Sequence, residues 1–319
     1  MTTDKKARLC KVAVIAFLGC LLQINTNILH GESADVPPEF IRQFQELRQK
    51  LDLENEIPED EIHAAKGVGE GRADIWRLSY LREGELELGV RINIKTKEVM
   101  HISNVGEQRR LERWGEEAPV EVESLNTQET MVKLGREYVE KIRGYFPSNL
   151  SSPSIGFRAT GYSKGSWGMI WFREEKGYRH PNDWIQVTIN DRTRKLISYE
   201  ARLVSEELVS TDVKITEGEA KEIAIKHLRH FAKKMDAPPE EYNRIPNEAS
   251  SIKLKVVNPN YVFVEDRDAL TMGTATETVL AYVVELNLGE APSFEREEIV
   301  WVWVNAETGE VVGGDSARR

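Results

Sequence analysis

Apolar and polar residues alternate at three separated places in the chain: Leu88, Val90 and Ile92; Ile185, Val187 and Ile189; and Val300, Val302 and Val304. A period of two turns one face of a strand toward a core and the other toward solvent or a partner. Each run enters an octet of the same form: Ile92-Asn93-Ile94-Lys95-Thr96-Lys97-Glu98-Val99, Ile189-Asn190-Asp191-Arg192-Thr193-Arg194-Lys195-Leu196, and Val304-Asn305-Ala306-Glu307-Thr308-Gly309-Glu310-Val311. The shared pattern is aliphatic, Asn, two variable residues, Thr, one variable residue, charged, aliphatic. Short amide and hydroxyl side chains hydrogen-bond nearby backbone in turns, so each octet predicts a hairpin between antiparallel strands. Gly309 reaches positive φ easily; Lys97 and Arg194 stand at the matching places without that freedom.

Spacings of three and four residues precede each hairpin. Thr216 and Glu219 form a capping box ahead of Ala220, Ile223, Ala224, Leu228, Phe231 and Met235, and Asn126 with Glu129 does the same ahead of Met131, Leu134, Tyr138 and Ile142. Phe40, Phe44, Leu47 and Leu51 follow Pro37 and Pro38 in the same manner. A further strand is predicted in each unit, in Ile75 to Leu81, Gly168 to Phe172 and Thr278 to Leu286. A small sheet cannot hide its apolar face alone, whereas a helix laid across it can.

The predicted fold class is therefore α+β, with repeated units of a helix plus an antiparallel three- to four-stranded sheet. Unit 1 covers 36–106, unit 2 covers 124–203 and unit 3 covers 215–314. Linkers are expected at Glu107 to Leu125 and Val204 to Ile215. Unit 3 is longer, with an insertion at about 236–268 that holds a Pro-rich stretch and a strand-like run, Ser251 to Val257, before the sheet begins.

Residues 1–30 differ from the rest. Lys5, Lys6, Arg8 and Lys11 precede an uncharged, mostly apolar run from Val12 to Leu22, the pattern of a signal peptide or an N-terminal membrane anchor. That run is shorter than the ~20 residues of a spanning helix, and adding Asn25 to Leu29 reaches the length at some polar cost. An uncleaved anchor, with the body outside the cytoplasm, is slightly favoured over a cleaved leader and a secreted body. Both cysteines, Cys10 and Cys20, lie in this leader, so neither disulfides nor thiol chemistry is expected in the body. The 43 basic against 53 acidic side chains give a formal charge of -10, which repels phosphate backbones, and no nucleic-acid partner is expected.

Catalytic signatures are weak. His227 and His230 stand three residues apart on a helix, too few ligands for a zinc site, and a cation near a helix C-terminus is favoured by the dipole in any case. Glu265, Asp266 and Asp268 surround Arg267 and could divide acid and base roles, or form a solvated loop. Gly67-Val68-Gly69-Glu70-Gly71 has no buried parallel strand leading into it, so a loop is the better account. The expectation is no enzyme, no catalytic residues, no cofactor and no metal.

The aromatic residues are the better candidates. Trp301 and Trp303 share a strand face opposite Val300, Val302 and Val304, so that strand is either buried on both sides or meets a partner through its tryptophans. Rigid amphipathic rings suit interfaces, and Trp301, Trp303, Tyr282 and Trp184 are the candidate binding residues.

A helix, a sheet and an alternating strand entering Val304-Asn305-Ala306-Glu307-Thr308-Gly309-Glu310-Val311-Val312-Gly313-Gly314 resemble PepSY domains, small exported or membrane-attached α+β modules. Unit 3 matches best, the octet at Ile189 is intermediate, and that at Ile92 is degenerate. The resemblance implies a non-catalytic extracytoplasmic module that binds an envelope protein or peptide, with regulation of an envelope peptidase as the role proposed for the family. The rival expectations are an architectural envelope spacer and an envelope hydrolase using the Glu265 to Asp268 carboxylates.

Overall fold

The three octets adopt one turn. Asn93 Oδ1 accepts from the backbone N–H of Lys95 and Thr96, both at 2.9 Å. Asn190 does the same for Arg192 and Thr193, and Asn305 for Glu307 and Thr308. Each threonine hydroxyl accepts in turn from the N–H two residues on, at Glu98, Lys195 and Glu310. The sixth residue is left-handed in every case: φ is 61° at Lys97, 59° at Arg194 and 75° at Gly309. Only glycine takes this conformation freely, so the side-chain bonds of the Asn and Thr hold Lys97 and Arg194 at a cost of about 1–2 kcal/mol each.

The computed structural model describes residues 36–318, apart from 53–56, 69–73, 162, 204, 206–207, 209, 236–238, 261, 265–276 and 291–296. Each turn closes a four-stranded antiparallel meander. The first comprises β1 (Ile62–Val68), β2 (Asp74–Arg82), β3 (Glu85–Asn93) and β4 (Val99–Asn104). The second comprises β5 (Ser154–Arg158), β6 (Ser166–Glu175), β7 (Tyr178–Asn190) and β8 (Leu196–Arg202). The third comprises β9 (Ser251–Val257), β10 (Val279–Glu290), β11 (Glu297–Asn305) and β12 (Val311–Arg318).

The first two meanders join into one eight-stranded sheet, β1-β2-β3-β4-β8-β7-β6-β5, and the third forms a four-stranded sheet, β12-β11-β10-β9. At the join, His101 faces Glu200, Ile102 faces Tyr199 and Ser103 faces Ser198. Ile102 and Tyr199 each lie three positions beyond the end of their octet. Equivalent residues therefore face each other, and the two meanders are related by a local twofold axis through that pair.

Helix α1 (Pro38–Lys50) buries Phe40, Phe44 and Leu47, and α3 (Gln128–Arg143) buries Met131, Tyr138 and Val139. Both stripes join Trp76, Ile92, Ile102, Trp171, Val187 and Tyr199 in a single core that runs under the eight-stranded sheet. Helix α4 (Glu217–Lys234) covers the small sheet, placing Ala220, Ala224 and Leu228 against Val284, Leu286, Val302 and Val304. A short α5 (Pro239–Asn243) follows it. The capping box predicted at Thr216 and Glu219 is present in full.

Three local expectations change. The expected linker at Glu107 to Leu125 contains a helix, α2 (Val105–Glu117), started by Asn104, whose side chain accepts from Glu107 N–H. Its stripe is short, only Leu111 among its apolar residues being fully buried, which is why periodicity missed it. The α3 N-cap is Thr127, not Asn126; the Asn126 amide is drawn instead to Asp191. Ser251 to Val257 is the first strand of the third meander, occupying the place of β1 and β5, and is not part of an inserted segment.

Residues 1–30, with both cysteines, and the Glu265 to Asp268 cluster lie outside the described residues, as do Gly69 and Gly71. Among the described residues no helix is long and apolar enough to cross a membrane.

Candidate binding faces

Alternation along β11 sends Val300, Val302 and Val304 to α4 and Trp301 and Trp303 to the other side of the sheet. Both tryptophans are half-buried, and neither belongs to the core beneath α4 or to that of the large sheet. Across the ladder, Trp301 faces Glu285 and Asp315, and Trp303 faces Val283 and Gly313. The Trp301 indole N–H donates to Glu285 Oε2 at 2.8 Å, and Ser250 Oγ holds the other carboxylate oxygen at 3.0 Å. One ring is thereby fixed, while at Gly313, opposite Trp303, Asn260 takes the place a Cβ would fill. Exposed Lys253 and Lys255 on β9 border the same face, and exposed Asp315 borders it on β12. The face can receive an apolar or aromatic group between a basic and an acidic margin.

The other two candidates lie elsewhere. Tyr282 points to the opposite side of β10, is 6% exposed within the α4 core, and donates its hydroxyl to Ile215 O at 3.2 Å. It does not share the Trp301 face, because the parity of its position puts it with Val284 and Leu286. Trp184 lies on the side of the large sheet away from α1 and α3, opposite Phe172 and Arg202. The Arg179 guanidinium stands 3.2 Å from the centre of the Phe172 ring. Trp301 and Trp303 come together; Trp184 belongs to a second, separate aromatic pair.

That side of the large sheet carries a row of small residues in direct register. From His63 the row runs through Ser79, Gly89, Ser103, Ser198, Thr188, Gly168 and Gly156, crossing all eight strands. A Cβ at Gly156 or Gly168 would meet nothing within 4 Å, so the row is open at its β5–β6 end, while at Gly89 it would touch Leu86 and Ser103. The next row is polar at its centre, running from Ala65 through Arg77, Arg91, His101, Glu200 and Gln186 to Ile170 and Ser154.

His101 sits between Arg91 and Glu200. Burial, and then the Arg91 charge, hold its pKa down from 6.5 to about 4. An unfolded chain therefore takes up this proton near pH 6.5, whereas the folded chain takes it up only near pH 4. The stability contributed by the neutral ring is complete above about pH 6.5 and is lost as pH falls through the window to about 4, amounting to roughly 2–3 kcal/mol. Urea unfolding across this range should show the decline, and His101→Gln should flatten it. His180, also held below its usual value by burial, contributes in the same direction and leaves a residual slope.

Buried polar clusters form at Asp183 and at Glu107 without a sequence signal. Asp183, with no exposed side-chain surface, accepts from Ser205 N–H at 3.1 Å and Ser205 Oγ at 2.7 Å, and pairs with Arg173 at 3.1 Å. Arg173 also donates to Ser205 O, Glu175 accepts from Leu208 N–H, and Lys176 donates to Leu208 O. This cluster clamps the segment between the sheets onto the β6–β7 hairpin. The second cluster joins α2 to the second octet: Glu107 Oε1 accepts from Asn190 Nδ2 at 2.8 Å and from Thr193 Oγ1. Both hold backbone segments and turns in place.

His227 Nε2 is 2.5 Å from Phe263 O, while His230 lines a groove of about 650 Å³ beside α4 with Lys226, Arg229 and Lys233. Among the described residues no group of three His, Cys, Asp or Glu is placed to hold a metal ion.

No family model matches the chain, and no curated protein matches it. Among solved structures it is similar to the Bacillus megaterium YpeB C-terminal domain, with a TM-score of 0.41 and 12% sequence identity, covering 89% of this chain and 99% of that one.

Proposed function

We propose that this chain is a non-catalytic, PepSY-like binding module of the cell envelope, tethered or exported through residues 1–30, which takes a protein or peptide partner on the helix-free face of its small sheet. The observation that supports this reading is the pair Trp301 and Trp303, side by side on that face and outside both cores. Aromatic anchors of this kind dominate binding energy where they are desolvated by a partner. A Glu285 carboxylate already bonded to the Trp301 indole leaves that ring oriented before binding, which lowers the ordering cost. The partner is an extended envelope polypeptide carrying apolar groups, and control of an envelope peptidase is the role that the family resemblance suggests. The architectural reading draws on a different feature, the continuous sheet through β4 and β8, and needs no open face.

The test is affinity capture from native membranes with the full chain in mild detergent, followed by measurement of the captured partner's affinity. The Trp301→Ala, Trp303→Ala double variant should bind about 30-fold or more weakly, the effect of losing about 2 kcal/mol at a hot spot. Equal affinity in a variant with unchanged circular dichroism would sink the proposal, and failure to capture anything saturably would move the reading to the spacer.

A further inference from the structure

The first two meanders show how this kind of unit joins another. Their last strands, β4 and β8, lie antiparallel with equivalent residues Ile102 and Tyr199 face to face. The last strand of the third meander is β12, and the same count of three from the end of its octet, Val311, leads to Gly314. On one side β12 is paired with β11. Its other side is the counterpart of the edge through which β4 and β8 meet.

That edge is occupied by a side chain. Asn260 Oδ1 accepts from Gly314 N–H at 3.0 Å, and Asn260 Nδ2 donates to Gly314 O at 2.8 Å. The Asn260 backbone N–H donates to Val312 O at 3.0 Å. A hydrogen-bonded pair in an antiparallel sheet exchanges one N–H···O bond in each direction, and the Asn260 amide offers Gly314 that same donor and acceptor. Gly313 and Gly314 are suited to this plug: a Cβ on Gly313 would meet Asn260, and one on Gly314 would meet the Phe263 ring. Phe263 in turn lies edge-on to Phe231 of α4, with centroids 5.8 Å apart.

We infer that β12 is a pairing edge for β12 of a second copy of this chain, with Gly314 opposite Gly314, and that Asn260 and Phe263 close this edge in the single chain. The register is compatible with self-pairing. With Gly314 at the centre, Asp315 falls opposite Gly313 and Ser316 opposite Val312, so the two Asp315 carboxylates do not face each other. Neither proline nor lysine interrupts β12, the residues that commonly protect an exposed edge, and cover by a loop is the alternative protection. The product would be an eight-stranded sheet with the same central symmetry as the one the chain already builds internally.

The experiment is mass determination by light scattering on the full chain in neutral detergent, over a wide concentration range. The native chain should be monomeric. Asn260→Ala with Phe263→Ala should double the protein mass in a concentration-dependent way. Adding Ser316→Pro should restore the monomer, because the Ser316 N–H is bonded to the Asp315 side chain at 2.8 Å and not to β11. Its loss removes an outward donor and leaves the inner ladder intact. Asn260→Asp, which removes the donor to Gly314 O at nearly constant volume, provides a second release should the double variant not fold. A native chain that is dimeric would overturn the closure. Folded release variants that stay monomeric, or a dimer that Ser316→Pro leaves unchanged, would overturn the pairing.

Discussion

Asp191→Ala should lower the stability of the large sheet by about 3–5 kcal/mol, among the largest effects of any single polar substitution in the chain. Asp191 is 2% exposed, and its two oxygens collect three N–H donors, with the Ser124 hydroxyl, which also bonds to Asn126 O at 2.8 Å, close by. Oδ2 accepts from Leu125 N–H at 2.6 Å; Oδ1 accepts from Asn126 Nδ2 at 2.9 Å and the Trp167 indole at 2.9 Å, with Ser124 Oγ at 3.2 Å. Alanine removes the acceptor of the Leu125 N–H and leaves the Asn126 amide, the Trp167 indole and Ser124 with only their remaining bonds to Asp191 O, Ser124 Oγ and Asn126 O. A donor left unsatisfied in a site that water barely reaches costs about 1–3 kcal/mol before relaxation. The loss reaches α3 as well, since residues 124–126 are the approach to its Thr127 cap. Asp191→Asn keeps the volume but turns one oxygen into a donor facing donors, so it should recover only part of the loss. Urea denaturation followed through tryptophan fluorescence, with the Trp167 environment as a local reporter, measures both. A cost below about 1 kcal/mol for alanine would show that water replaces the carboxylate.

Asp191 also marks where the sequence stops being legible. Its neighbours Asn190 and Thr193 are part of a repeated pattern, and the pattern alone predicted the turns because the turn is made by local bonds within five residues. Asp191 stands at the variable third position, where Ile94 and Ala306 stand in the other octets. Its partners lie 24 residues away at Trp167 and 65 to 67 residues away at Ser124, Leu125 and Asn126, and no local periodicity reports such a bond. The same holds for Asp183 and Glu107, whose roles depend on which loop passes them in three dimensions. Strand parity, in contrast, is fixed by chemistry along the chain. It placed Trp301 and Trp303 together, and applied to β10 it places Tyr282 with Val284 and Leu286 on the helix side.

The β4–β8 join could not be read from either unit by itself. Both strands are short and carry ordinary residues, and it is their pairing that turns two marginal four-stranded sheets into one with a shared core. Once that join is seen, the octet alignment becomes informative about Gly314, since it assigns β12 an edge that the other units use. Repetition thus carried more of the fold than any single motif. The candidate site was legible only as far as the face on which its tryptophans lie.

Trp171→Ala should cost about 3–5 kcal/mol, matching Asp191→Ala by a different mechanism, the opening of a cavity. Trp171 is 1% exposed on β6, meets Phe146 edge-on at 5.7 Å between centroids, and fills the space below Gly135 of α3. Gly135 is a costly residue for a helix interior, by about 1 kcal/mol relative to alanine, and its position explains it. A Cβ there would lie 2.9 Å from Trp171 Cη2 and 2.8 Å from Met169 Sδ, too close for either to remain in place. Helix and strand approach each other because one side has no side chain and the other has the largest. Gly135→Val should therefore be destabilising by about 1–3 kcal/mol through overpacking, against its helix propensity. The two substitutions should not add. Valine at 135 reaches into the cavity left by Trp171→Ala, so the double variant should be more stable than the sum of the singles by about 1 kcal/mol or more, read from a double-mutant cycle in urea. Additivity within about 0.5 kcal/mol would mean that α3 moves away from the sheet to admit the valine, and that the close approach at Gly135 is a consequence of the fold and not one of the contacts that set it.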